Sequence, residues 1–136
     1  MATQDMTTTR TVMFVCLHGS AKSLIAAEYF RHLAATRGMP AQALSAGVEP
    51  DSEVPPKVVA GLLEDGIDVR GRQPRQVTAE ELRGAWHVVS FGCDLSGLLP
   101  PGASVERWDD IPAVSENFRV ARDVIVSRVV QLLTHI

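Results

Sequence analysis

The stretch TVMFVCLHGSAKS, residues 11–23, decides how this chain folds. Its first part, Thr11 to Cys16, is apolar and β-branched, and a short run of this kind before a Gly/Ser loop predicts a buried strand. From Ala21 onward the apolar residues recur at helical spacing, which predicts a helix of about 16 residues that ends before Gly38 and Pro40. The stretch is therefore predicted to form a strand, a loop and the start of a helix.

The same alternation of strand and helix continues to the end of the chain. Four further strands or extended segments are predicted, at 43–45, 67–69, 86–91 and 105–108. Three further helices are predicted, from Pro55-Pro56 to Gly66, over 79–84, and from Ser115 onward. Strands that alternate with helices predict a parallel sheet covered on both faces, which is a three-layer α/β/α domain. In such a domain the carboxyl ends of the strands share one rim, where ligands bind.

Length and composition bound the possible functions. A chain of 136 residues predicts one domain, over 11–136, after a polar Thr-rich tail at 1–10. A net charge of −3 gives no reason to expect a nucleic-acid partner, which needs a basic surface. We expect no membrane span and no signal peptide, because the apolar runs are short. Two cysteines, Cys16 and Cys93, are too few for a disulfide framework or a structural zinc site, so we expect a cytoplasmic protein without metal or cofactor.

The loop between the first strand and the first helix carries the chemistry. Backbone N–H groups at a helix N-terminus are unpaired and lie at the positive end of the helix dipole, so they can hold a tetrahedral oxyanion. In that field Cys16 is expected to be available as a thiolate, with a hydrogen bond from Ser23. The oxyanion is predicted to contact this loop at Leu17, His18, Gly19, Ser20, Ala21, Lys22 and Ser23. The alternative is that Cys16 is a small buried hydrophobic residue.

These residues resemble the signature of a known family. A strand ending in Cys, then five residues, a basic residue and a Ser that opens a helix resembles the low-molecular-weight tyrosine phosphatases and the arsenate reductases that share their fold. Four other segments are similar to stretches of these proteins: SAGVEP at 45–50, GIDV at 66–69, WDDIPA at 108–113 and FRVARD at 118–123, the last being most like the arsenate-reductase branch. The resemblance covers about residues 11–134 and implies a four-stranded parallel sheet with flanking helices.

The resemblance also implies roles and substrates. Cys16 would attack the phosphorus of a phosphomonoester or the arsenic of arsenate, while the loop N–H groups and Lys22 stabilise the oxygens. Asp109 or Asp110 would protonate the leaving oxygen, with Asp109 preferred. A phosphatase would then hydrolyse the cysteinyl-phosphate. A reductase would pass its adduct to Cys93, to a small cellular thiol or to a thioredoxin-type reductant.

The chain departs from the family pattern at four positions. Lys22 stands where the phosphatases usually have Arg, and Gly19 stands where they have a loop-bracing Asn. Ala21 occupies the position of one extra redox cysteine of the thioredoxin-coupled reductases. Ile111 separates Asp110 from the following Pro, and a second alignment of this segment puts Ala113 at the position of the acid. These departures leave open whether the protein is a phosphatase or a reductase.

Two further readings of the site stay open. A non-catalytic oxyanion-binding or regulatory module would keep the loop without efficient turnover. A redox thiol switch would need Cys16 and Cys93 within disulfide reach. We expect both cysteines at the same rim, with one strand between them and their backbones about 10 Å apart.

Overall fold

The structure, a computed structural model, describes residues 9–100 and 103–136. It contains the following elements in chain order: β1 (Arg10–Cys16), α1 (Lys22–Thr36), β2 (Ala41–Gly47), α2 (Pro56–Glu64), α3 (Ala79–Gly84), β3 (His87–Ser90), β4 (Glu106–Arg107) and α4 (Phe118–Leu133). The strands form one parallel sheet in the order β2-β1-β3-β4. The predicted four-stranded parallel sheet is thus confirmed.

Strand β1 lies at the centre of the sheet and is buried on both faces. Val12 and Phe14 face a core shared with α1, α2 and α4, whereas Met13 and Val15 face a second core under α3. This two-sided burial explains why the strand is an unbroken apolar run rather than an alternating one. The Phe14 ring packs against Phe30, Phe91 and Trp108 at centroid distances of 6.0, 6.3 and 5.8 Å.

The predicted strand at 67–69 is absent. Ile67 and Val69 are buried in the core, but Ile67 donates its backbone N–H to Leu62 O at 2.9 Å and thereby closes the end of α2. The apolar residues at 67 and 69 are thus explained by their burial in the core, without pairing in the sheet. As a consequence, β3 pairs directly with β1, and the strand expected between Cys16 and Cys93 does not exist.

Other element boundaries also differ from the predictions: β2 is longer than the predicted 43–45, and β3 is shorter than the predicted 86–91. The last strand is reduced to Glu106–Arg107, within the predicted 105–108 segment. Helix α4 begins at Phe118 instead of Ser115, because the Asn117 side chain accepts a hydrogen bond from Val120 N and caps the helix there. Of the predicted tail, residues 1–8 lie outside the described residues, and Arg10 is already the first residue of β1.

Two further observations concern the described part of the chain. None of its helices has the length and apolar character to cross a membrane. Within residues 9–100 and 103–136, no group of three His, Cys, Asp or Glu side chains is arranged to hold a metal ion.

Candidate active site

The Cys16 thiol lies at the carboxyl end of β1, at the start of residues 16–23, here called the anion loop. Its Sγ is 3.0 Å from Ser23 Oγ and accepts a hydrogen bond from the Gly19 N–H at 3.1 Å. The Gly19 N–H points at the sulfur, and the Ser23 hydroxyl is placed to donate to it as well, so both groups can hold Cys16 in position for nucleophilic attack. Cys16 is 8% exposed, so the sulfur is reached only from the pocket that the loop surrounds.

The anion loop leads directly into helix α1, which starts at Lys22. Ala21, at the N-cap position, makes no side-chain cap, and the first turn contains no acidic residue. The positive end of the α1 dipole and its unpaired N–H groups are therefore not neutralised by the helix itself. The Lys22 ammonium adds charge at the same end, so this arrangement can bind an oxyanion.

The shape of the loop depends on two glycines. Gly19 has a φ of +63°, a conformation that glycine adopts without strain. A Cβ on Gly19 would lie 2.5 Å from Gly47 N, and one on Gly47 would lie 2.6 Å from Gly19 N. The anion loop thus rests, backbone on backbone, against the end of β2. At position 19 glycine supplies the loop conformation in place of the expected Asn.

A pocket of about 320 Å³ opens beside the Cys16 sulfur. It is lined by Cys16, Leu17, His18, Ser20, Ala21, Lys22, Asp51, Pro55, Phe91, Ala113, Val114 and Ser115. Six of the eight residues of the anion loop contribute to this lining. The ionisable side chains among the lining residues are Cys16, His18, Lys22 and Asp51.

Asp51, in the loop after β2, ties that loop to the anion loop. One carboxylate oxygen accepts a hydrogen bond of 2.7 Å from Ser20 Oγ, and the other lies 3.5 Å from His18 Nδ1. The His18 Nδ1 also lies 3.1 Å from the carbonyl oxygen of Glu49. Sequence reasoning missed Asp51. The available signal was its position, because the loop after β2 must leave the sheet at the same rim as the anion loop.

The two aspartates predicted as general acids do not line the pocket. Asp109 is half-exposed and pairs with Arg107 at 3.0 Å. Asp110 makes two hydrogen bonds of 2.7 Å to the Arg128 guanidinium, which lower the pKa of its carboxyl group. Ala113 occupies the pocket wall instead, as in the second alignment of this segment.

Cys93 lies in the loop after β3, near the rim that carries the anion loop, but it does not line the pocket beside Cys16. Its thiol packs in the core on the opposite face of the sheet from Cys16. There it donates to Val15 O at 3.5 Å and lies 3.4 Å from Ser90 Oγ. Burial raises the pKa of the Cys93 thiol, and the charge of the nearby Cys16 adds to this effect. Both factors favour a protonated, packed thiol.

A parallel sheet with an anion loop after its first strand, a cysteine at the head of that loop and a basic residue at the helix start define a class of cysteine-dependent oxyanion enzymes. Residues 11–106 match the family described as low molecular weight phosphotyrosine protein phosphatase. The chain belongs to this family, which acts through a cysteine nucleophile on phosphate esters or arsenate. Its substrates are accordingly of the phosphate or arsenate type. A non-catalytic binding module is not favoured.

Similar proteins include members of both branches. A curated protein of Halobacterium salinarum (strain ATCC 700922 / JCM 11081 / NRC-1), named "Putative arsenate reductase", is 29% identical over 124 residues, covering 88% of this chain and 87% of its own. The crystal structure of YfkJ from Bacillus subtilis matches with a TM-score of 0.79 and 25% identity over 94% of both chains. The thioredoxin-dependent arsenate reductase of Corynebacterium glutamicum matches with a TM-score of 0.77 and 26% identity, over 94% of this chain and 62% of its own.

Proposed function

We propose that the chain is an arsenate reductase in which Cys16 forms the covalent intermediate and an external small thiol supplies the electrons. The observation that carries this choice is the pocket wall at Ala113, where a phosphatase needs a carboxylic acid. Asp109 and Asp110 are held by arginines and do not line the pocket. The activity belongs to one domain, residues 11–136, in a reducing cytoplasm where small thiols are abundant.

The missing carboxylic acid matters differently for the two substrates. An aryl or alkyl phosphate releases an oxyanion that has to receive a proton from the enzyme as the bond breaks. Arsenate near neutral pH already carries a proton on one of its own oxygens, and that oxygen can leave as hydroxide or water. A site with Ala113 in place of the acid, and with its lining carboxylate Asp51 held by Ser20, therefore loses less with arsenate than with a phosphate ester.

The first step uses the anion loop. The Cys16 thiolate forms a bond to arsenic, while an As–O bond breaks and its electron pair leaves with the oxygen as hydroxide or water. The loop N–H groups and the Lys22 ammonium hold the remaining oxygens, and Ser23 stabilises the sulfur before attack and after release. Lys22 is a point charge rather than a bidentate fork, so it adds charge without enforcing one orientation of the anion.

The reductant is assigned from the position of Cys93. An internal relay would bring the Cys93 sulfur to the Cys16 sulfur, yet the two thiols lie on opposite faces of the sheet. Moving Cys93 would break its contacts with Val15 O and Ser90. Leu17 and His18, by contrast, are exposed at the pocket and leave room for an external thiol. A thioredoxin-type protein is the other reductant to test.

Phosphomonoester hydrolysis is the second candidate, because the pocket also has apolar walls. Leu17, Phe91 and Val114 line it beside the Cys16 sulfur, and such residues suit the ring of an aryl phosphate of the phosphotyrosine type. In this case the same Cys16 would form a cysteinyl-phosphate that water hydrolyses.

A side-by-side assay separates the candidates. Arsenite production from arsenate with a small thiol, and separately with thioredoxin and its reductase, is compared with hydrolysis of phenyl phosphate, whose leaving group needs a proton. Each is measured with wild type and Cys16→Ser. The proposal expects Cys16-dependent arsenite production with the small thiol and only weak hydrolysis. Strong Cys16-dependent hydrolysis without arsenite production would instead establish the phosphatase.

A further inference from the structure

The His18 ring is held in one defined protonation pattern at the mouth of the pocket. Its Nδ1 lies 3.1 Å from the carbonyl oxygen of Glu49. A carbonyl oxygen only accepts hydrogen bonds, so Nδ1 carries a proton and donates it. In the neutral imidazole the lone pair then belongs to Nε2, which has no protein hydrogen-bond partner within the part of the chain that the structure describes. In this tautomer Nε2 is the ring atom that can accept a proton.

The Asp51 carboxylate lies beside the His18 ring, on the side of Nδ1. One of its oxygens lies 3.5 Å from His18 Nδ1, and the other is fixed by the 2.7 Å hydrogen bond from Ser20 Oγ. Ser20 is buried at 2% exposure, so the carboxylate has a rigid anchor. The Nδ1–H is directed to the Glu49 carbonyl, so Asp51 acts by its charge: a carboxylate 3.5 Å from the ring favours the positive charge that appears when Nε2 takes a proton.

The position of His18 suits a reactant that comes from solution. Its side chain is 52% exposed, yet it lines the same pocket as the buried Cys16 sulfur. The other charged side chains of the pocket are Lys22, from the start of α1, and Asp51, from the loop after β2. Neither replaces His18 as a base, since Lys22 serves the anion and Asp51 is engaged with Ser20.

We propose that His18, supported by Asp51, is the general base that activates the reductant thiol. This role rests on the proposed arsenate reduction and names how its second step proceeds. Nε2 takes the proton of a small thiol RSH, and the resulting thiolate attacks Cys16 Sγ in the cysteinyl-arsenate. An S–S bond forms, the S–As bond breaks, and its electron pair reduces arsenic from As(V) to As(III). The proton passes from His18 to an oxygen of the departing arsenite.

A second thiol completes the cycle by the same route. After giving its proton to Nε2, it attacks the small-thiol sulfur of the mixed disulfide. A new S–S bond forms in RSSR, the old S–S bond breaks with its electron pair on the Cys16 thiolate, and Nε2 releases the proton to solvent. Two RSH molecules are oxidised to one disulfide for each arsenate reduced, so atoms and electrons balance. Both thiol steps need a base at the mouth of the pocket, whereas the first attack on arsenate does not.

The test compares two reductants in His18→Asn. The Asn amide keeps an N–H donor for the Glu49 carbonyl but has no basic nitrogen. With 2-mercaptoethanol, which is almost wholly protonated at pH 7, we expect saturating arsenite production to fall by about 10²-fold. With 2-nitro-5-thiobenzoate, which is already a thiolate at pH 7, we expect the variant to stay near the wild-type rate. Asp51→Asn should show a smaller loss with the same rescue.

One control variant and three alternative outcomes make this test decisive. His32→Asn, an exposed histidine of α1, should match wild type with both reductants. Equal losses with both thiols would show that His18 only holds the loop, and no loss with either would remove it from the reaction. If wild type itself gives no Cys16-dependent arsenite, the proposed function fails, which is a different result from an unrescued His18→Asn.

Discussion

Cys16 ends strand β1 and Cys93 lies in the loop after the neighbouring strand β3, yet the two side chains pack on opposite faces of the sheet. The Cys93 thiol donates to the carbonyl of Val15, the residue directly before Cys16, and it packs with Met13 and Val15 rather than with the side chains around Cys16. The two cysteines are thus close along the rim but separated by the backbone of β1. This relationship determines which thiol can reduce the enzyme.

The first prediction concerns Cys93→Ser. Because the Cys93 thiol is buried away from the pocket, we expect arsenite production with a small thiol to remain at the wild-type rate. The folded protein should lose a little stability, since a hydroxyl replaces a packed thiol. The measurement is multi-turnover arsenite production beside a urea unfolding curve. Loss of multi-turnover activity with an intact fold would establish Cys93 as a relay.

The second prediction places an acid on the pocket wall. Ala113→Asp introduces a carboxyl group on the wall formed by residues 113–115, where the pocket has none; the carboxylate that already lines the pocket, Asp51, is held by Ser20. We expect hydrolysis of phenyl phosphate, which has a poor leaving group, to rise by about tenfold or more, a modest share of the usual effect of acid catalysis. Ala60→Asp, at an exposed position of α2, is the matched control. Equal rates for both variants would contradict the assignment of Ala113 to the position of the acid.

The third prediction concerns Lys22, the basic residue at the start of α1. Lys22→Arg replaces a point charge with a fork that binds two oxygens of the transition state. We expect hydrolysis of p-nitrophenyl phosphate to rise severalfold, while arsenite production stays the same or falls. The two assays are run on the same preparation. Changes that run in parallel would show that Lys22 does not distinguish the two reactions.

The sequence predicts correctly those features that depend on residues close to one another along the chain. The capping box is local: Thr78 and Glu81 alone predict α3 over 79–84, and the structure has these bounds. The buried strand and the start of α1 are also local patterns. The strand predicted at Ile67 to Val69 is wrong, because an apolar pattern that indicates burial does not distinguish a strand from a packed turn that ends a helix.

The parts of the site that the sequence does not reveal depend on distant contacts. Asp51 reaches Ser20 across 31 positions, and nothing in the local pattern marks that pairing. Asp110 turns away from the pocket because Arg128, 18 positions later on α4, holds it. Comparison of residues 108–113 with the family motif therefore allows two alignments. The Asp110–Arg128 ion pair and the position of Ala113 in the pocket wall favour the second alignment.

The capping box also gives a prediction about pH. The ion pair with Arg75 lowers the pKa of Glu81 below its ordinary value of 4.5, and the hydrogen bonds with Thr78 add to this effect. A lowered folded-state pKa stabilises the protein above the unfolded-state pKa and loses that effect as pH falls through the folded-state value. We expect Glu81→Gln to be less stable than wild type at pH 7.

The difference in unfolding free energy between the two proteins should shrink as pH falls below about 4.5 and be lost as pH falls through the lowered folded-state pKa of Glu81. Urea unfolding over a series of pH values from 7 downward measures it. Other carboxylates titrate in both proteins and cancel in the comparison. Glu80→Gln, on the exposed side of α3, should show a smaller and less pH-dependent difference. A Glu81 effect independent of pH would contradict the ion pair.

A fifth prediction concerns the contact between the anion loop and β2. A Cβ at position 47 would lie 2.6 Å from Gly19 N and from His18 C, and both are backbone atoms that cannot yield cheaply. We expect Gly47→Ala to lose most Cys16-dependent activity and to lose about 1–3 kcal/mol of stability, as overpacking does. Gly84→Ala, where a Cβ meets nothing within 4 Å, should be silent in both measurements.

The central claim is that Cys16 forms the covalent link between arsenate and the reducing thiol. Peptide mapping by mass spectrometry after one turnover, with arsenate and a single equivalent of glutathione, tests it directly. The account predicts a glutathione disulfide on Cys16 that requires arsenate, and an unmodified Cys93. An arsenate-independent adduct, or arsenate-dependent modification of Cys93 instead of Cys16, would contradict the account.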